Sequence, residues 1–229
     1  MGVVDRHVEG AATAHQRLLA MLQPVDGPGL TDEMVRRPSL LPEWTVGHVL
    51  AHLVHNAESF VRLFAAAESG ETVDQYPGGS EGRARDIAAD AGLAATEHCE
   101  RLRRSIYALE ASWAGAQRAW EGHGRTLTSV LVPITEIPLR RWREVEVHTG
   151  DLGLVELGDR RSEIDPRGID LWSEDYIRHD VVVLTMQYKA RRPMGLTDLP
   201  DAVRVASPRY RLAWLLGRYD FDGLPSPSF

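Results

Sequence analysis

The stretch from Thr45 to Ser69 constrains the fold most. Val46, Val49, Leu50, Leu53, Val54, Ala57, Phe60, Val61 and Phe64 recur at helical spacing and make a wide apolar stripe. A helix with so broad an apolar face must bury it against other elements. Three further segments have the right pattern to cover it. Residues 5–23 carry Val8, Ala11, Ala12, His15, Leu18, Leu19 and Leu22. Residues 80–114 carry Ile87, Leu93, Ala94, Leu102, Ile106 and Leu109, and a fourth helix is expected over residues 135–154. A short helix over residues 31–37, with Thr31 as N-cap, precedes the approach segment Ser39 to Trp44. Four long helices with polar outer faces predict a helical bundle.

After Gly158 the character changes. Val181-Val182-Val183-Leu184 and Ala202-Val203-Arg204-Val205 are β-branched runs that predict short strands, and Tyr210 to Leu216 predicts a helix ending at Gly217. The expected organisation is therefore a bundle over residues 1–157 and a smaller α+β domain over residues 158–229.

Composition excludes several classes. A net charge of −7 without a basic run argues against nucleic-acid binding. No apolar stretch is long enough for a membrane helix, and Met1 to Glu9 has no signal-peptide pattern. The single cysteine, Cys99, fits a reducing cytoplasm.

The chemistry is carried by histidines and carboxylates. His48, His52 and His55 share one face of the second long helix, with Asn56 a turn beyond His52. Glu144 and His148 share a face of the fourth helix, and Asp151 follows one turn later. Facing helices of a bundle build metal sites from such residues, and three protein ligands leave a coordination position open. Spacing alone does not choose among the three histidines, and each of them also reads as a packed core residue.

Two segments resemble a known family. Leu41-Pro42-Glu43-Trp44-Thr45-Val46-Gly47-His48-Val49-Leu50-Ala51-His52-Leu53, followed by Asn56-Ala57-Glu58, is similar to the opening signature of the mycothiol-dependent maleylpyruvate isomerase family, a branch of the DinB-like metalloprotein bundles. Arg141-Trp142-Arg143-Glu144-Val145-Glu146-Val147-His148-Thr149-Gly150-Asp151-Leu152-Gly153 resembles its second signature, and Arg211 to Arg218 a weaker third. The resemblance implies a mostly α fold: a DinB-like up-and-down four-helix bundle with a smaller C-terminal α+β domain. It implies a divalent metal, usually zinc, held by His52, Glu144 and His148, with mycothiol as thiol cosubstrate. It links Arg218, and less closely Arg83, to activity through an anionic substrate. Read alone, Arg218 would belong to a surface or inter-domain salt bridge. Asn56 is expected to orient His52 or to contact the thiol, and Asp151 to fix the tautomer of a ligand histidine. The chain departs from the family at Glu43, where a small residue is usual, and over Asp180 to Asp198.

The implied reaction is a cis-trans isomerisation. A metal-activated thiolate adds to the double bond of maleylpyruvate or a related substrate, the resulting single bond rotates, and expulsion of the thiol leaves the trans product. The alternatives on the same fold are a mycothiol S-transferase or other thiol-conjugating metalloenzyme, a non-catalytic metal-binding module, and a metal-dependent hydrolase. The electrophile, the metal and the oligomeric state are not fixed by the sequence.

Overall fold

The computed structural model describes residues 2–157, 167–190 and 198–227. Helix α1 (Val3–Leu22), α3 (Val46–Glu68), α5 (Ala95–Gly115) and α6 (Ile137–Asp151) are the four long members of an up-and-down bundle. They pack in a ring: α1 against α6 and α5, and α3 against α5 and α6. Short helices α2 (Asp32–Arg36) and α4 (Gly79–Asp90) lean on α3 from outside. This makes α3 the most enclosed helix, with Val46, Val49, Leu50, Leu53, Ala57, Phe60, Leu63 and Phe64 all buried. Its start is fixed by Thr45, whose side chain accepts from the His48 amide while His48 Nδ1 faces the Thr45 amide at 3.2 Å.

The segment read from sequence as one helix over 80–114 is two helices. The chain breaks at residues 91–94, around Gly92, and α5 restarts after Ala94. Gly92 carries no side chain to pack, and the turn lets Asp32 Oδ1 accept from the Ala95 amide at 2.7 Å. Between α5 and α6 the chain forms a hairpin: β1 (His123–Arg125) pairs antiparallel with β2 (Leu131–Pro133).

The C-terminal strand expectations are corrected. Val181 to Leu184 lies inside α7 (Glu174–Ala190), and Ala202 to Val205 inside α8 (Asp201–Val205), followed by α9 (Pro208–Leu215). Tyr176, Ile177, Asp180, Val181 and Leu184 are the buried residues of α7, a helical spacing, while Val182 faces out. Packing against α9 and α6 overrides the strand preference of the valines. The expected boundary after residue 157 borders residues 158–166, which lie outside the described residues. Most of Asp180 to Asp198 is described only as α7, and residues 191–197 also lie outside. Among the described residues no helix is long and apolar enough to cross a membrane.

Two close approaches set the register of α6. At Gly10 a Cβ would sit 2.6 Å from the Trp142 ring, so α1 and α6 touch backbone to indole. Gly168, at φ +71°, abuts Gly150, where a Cβ on Gly168 would lie 2.2 Å from the Gly150 carbonyl oxygen. Trp142 then stacks on His179 of α7 at 5.5 Å.

Candidate metal centre

His52 projects from the second turn of α3, and Glu144 and His148 from successive turns of α6, into one space between the two helices. His52 Nε2 lies 2.8 Å from Glu144 Oε2, and His148 Nε2 lies 3.3 Å from the same oxygen. The imidazoles meet edge to face, 4.6 Å apart. One potential ligand atom from each residue falls within 4.8 Å of the others, and no second such group of three occurs among the described residues. His52 is buried, whereas the Glu144 side chain is 32% exposed, so the cluster opens on the Glu144 side.

Its electrostatics suit a cation. Burial pushes the Glu144 carboxyl up, but hydrogen bonds with His148 and His52 outweigh this and hold it well below the usual carboxylate range. Burial lowers His52 to about 4, helped by the neighbouring His148. Burial also opposes charge on His148, yet Asp151 and Glu144 raise it to about 9. The cluster thus gathers an anionic carboxylate, a neutral imidazole and a positive charge resting on His148. The donor set of two nitrogens and one carboxylate oxygen fits a zinc-type ion, which would replace that positive charge.

Supports continue outward on both sides. His148 Nδ1 lies 2.8 Å from Asp151 Oδ2, close but out of line for a straight hydrogen bond. Asp151 is in turn held by Arg218, whose Nε and Nη2 each donate to one carboxylate oxygen at 2.7 Å. Arg218 therefore does make a salt bridge, and it reaches the cluster through Asp151 rather than by its own contact. On the other side Arg83 Nη2 lies 3.0 Å from His52 Nδ1. A neutral His52 that accepts there carries its proton on Nε2 and donates it to Glu144. The Arg83 guanidinium is framed by the rings of Trp44 and Tyr76, at 5.9 and 5.8 Å.

The remaining histidines of the α3 face go elsewhere. His48 serves the helix cap and stacks on Trp44. His55 faces Asp90 at 2.6 Å and Glu58 at 3.3 Å, and hydrogen bonding to Glu58 raises its pKa against the cost of burial. Asn56 is fully enclosed, and its Oδ1 accepts from Arg141 Nη1 at 2.8 Å. Trp44 and Tyr76 were not singled out from sequence as site residues. Trp44 stands edge-on to His52 at 5.8 Å and lies within the opening signature, which was its only signal. Tyr76 lies in a loop with no periodicity to mark it. Glu43 adopts φ +64°, a left-handed conformation that favours glycine over a residue with a Cβ.

A four-helix bundle with a His-Glu-His cluster aimed inward between two facing helices defines a protein of the DinB-like class. Within that class, the sequence profile of the mycothiol maleylpyruvate isomerase N-terminal domain matches residues 8–153, and the chain belongs to that family. No curated protein matches it by sequence. Among solved structures, the mycothiol-dependent maleylpyruvate isomerase is similar at 20% identity and TM-score 0.74, over 95% of this chain and 90% of that one. A histidine-to-alanine mutant of the mycothiol-dependent maleylpyruvate isomerase is similar at 20% identity and TM-score 0.75, over 99% and 97%. At this identity the likeness establishes a shared fold.

Proposed function

We propose that the chain is a metal- and mycothiol-dependent cis-trans isomerase acting on maleylpyruvate or a related anionic, electron-poor alkene. The observation that carries this reading is the series Arg83–His52–Glu144–His148–Asp151–Arg218, in which three potential ligands lie in mutual contact with an arginine at each end of the series. His52, Glu144 and His148 would hold a divalent ion, zinc by donor type, whose open position would bind the thiol and stabilise it as the nucleophilic thiolate.

The chain's own residues do the rest. Asp151 orients His148, and Arg218 fixes Asp151, so the ligand imidazole is held in one tautomer and direction. With the His52 proton on Nδ1, as ligation through Nε2 requires, Arg83 can no longer donate there. Its guanidinium, framed by Trp44 and Tyr76, is then available to a substrate carboxylate, which it can grip in bidentate fashion. Addition of the thiol sulfur to the cis double bond places negative charge on the conjugated carbonyl oxygen, and a fixed cation nearby stabilises that charge. Rotation about the new single bond and loss of the same sulfur give the trans product and return the thiol unchanged.

The division into a bundle over residues 1–157 and a C-terminal domain over residues 158–229 is part of the same proposal, with Arg218 supplied by the second part. The buried, unpaired Cys99 suits a cytoplasmic setting. The test is an assay of metal-loaded protein on maleylpyruvate with and without mycothiol. Catalytic turnover that needs the thiol without consuming it is the expected result. Stoichiometric loss of thiol would point to a conjugating transferase instead, and no thiol dependence would remove the reading.

A further inference from the structure

Arg141 is fully buried at the centre of the bundle, where all four long helices meet. It projects from α6, and its Nε donates to His15 Nε2 on α1 at 2.9 Å. Its Nη1 donates to the Leu53 carbonyl and to Asn56 Oδ1 on α3, at 2.9 and 2.8 Å. His15 Nδ1 completes the layer by facing Glu110 of α5 at 2.8 Å. Because His15 accepts at Nε2, its proton sits on Nδ1 and is donated to Glu110, which leaves the ring neutral.

Every group that Arg141 touches is therefore uncharged, and its Nη2 has no partner among the described residues. A guanidinium buried this way is an expensive brace. Apolar side chains would tie four helices together at lower cost, since an ion taken out of water is costly even when paired. The acid whose charge acts most on it is Glu144, one turn along the same helix and itself a member of the candidate metal cluster. In a low-dielectric core that coupling works in both directions, so the cluster lies in the field of Arg141.

We propose that Arg141 is a positioning residue that acts electrostatically, a fixed positive charge beneath the cluster that favours anionic occupants, the thiolate and the carboxylates of the substrate, over neutral ones. This rests on the function proposed above. Its sign is distinctive. A buried positive charge strengthens anion binding and weakens binding of the metal cation, whereas a mere brace would support both.

Cobalt(II)-loaded wild-type protein, Arg141→Lys and Arg141→Met are titrated with 2-mercaptoethanol and with mercaptoacetate, following thiolate-to-cobalt absorption. Affinity for the ion is measured separately against a chromophoric chelator, and thermal melting shows that each variant is folded. Arg141→Met should bind mercaptoacetate about tenfold more weakly than Arg141→Lys, the order of effect of one buried, partly screened charge. It should lose less for 2-mercaptoethanol, and hold the ion as tightly as wild type or more so. Parallel loss of ion and both thiols in the two variants would reduce Arg141 to a brace. If wild type takes up no ion, the proposed function fails. Arg141 is then judged by titration of the metal-free proteins with maleate, read by tryptophan fluorescence. Maleate binding kept in Arg141→Lys and lost in Arg141→Met supports the electrostatic role, and any other pattern overturns it.

Discussion

Arg218 grips both oxygens of Asp151, and Asp151 stands 2.8 Å from His148, so one carboxylate links a candidate ligand to an arginine 70 positions away in sequence. Asp151→Asn keeps the size of the side chain but removes the charge that favours the Nδ1-protonated imidazole. Loss of such a partner costs roughly 10–100-fold in metal affinity. Chelator competition on Asp151→Asn and Arg218→Met should give losses in that range for both. An unchanged affinity in Asp151→Asn would sever the link from Arg218 to the cluster.

His52→Ala removes the ligand contributed by α3 and leaves two on α6. Bound metal, measured by elemental analysis after dialysis, should fall to a small fraction of the wild-type content, while the helical circular dichroism stays in place. By contrast His55→Ala, whose side chain faces Asp90 and Glu58, should keep its metal. Equal metal content in all three proteins would move the centre elsewhere.

The buried His15 makes stability pH-dependent. Burial lowers its pKa to about 4, against the hydrogen bond it donates to Glu110, which raises it. The unfolded chain, with an ordinary histidine, binds the extra proton first as pH falls. The stability due to neutral His15 is therefore full above about pH 6.5 and is lost progressively down to about pH 4, a difference on the order of 3 kcal/mol. Urea unfolding at pH 7.5 and pH 5 should show a smaller drop for His15→Gln than for wild type. Identical drops would mean that His15 does not stay neutral in the fold.

Glu43→Gly relieves a left-handed backbone at φ +64°. The relief, about 1–2 kcal/mol, exceeds the entropy that glycine adds to the unfolded chain. Thermal melting should therefore rise or hold, by up to about 1 kcal/mol of stability. A clear destabilisation would show that the Glu43 side chain has a structural partner.

The sequence made α3 and the ligand helix legible because their apolar stripes are long and regular. It misread Val181 to Leu184, where four apolar residues in a row carry no period and the burial pattern of Tyr176, Ile177 and Asp180 was needed to see the helix. It joined α4 to α5 because Gly92 alone is a weak break within a charged, alanine-rich run. Spacing put His48, His52 and His55 on one face without separating them. What separates them is what each meets: a helix cap, a facing α6, and the acid pair of Asp90 and Glu58. Nothing in the sequence marks Arg141 as buried, since an arginine in an amphipathic helix ordinarily faces water.

The contact of Gly150 with Gly168 has a consequence for how such a chain can diversify. Gly150 lies one residue before Asp151 and two after His148, so backbone that leads into the C-terminal helices is pinned beside the ligand turn. Neither residue tolerates a side chain, and the joint cannot slide. Exposed positions of the C-terminal helices, such as Val182, Met186 and Val205, can then change sequence while Arg218 stays directed at Asp151. Variation on the surface of the C-terminal segments is thereby separated from the geometry of His52, Glu144 and His148.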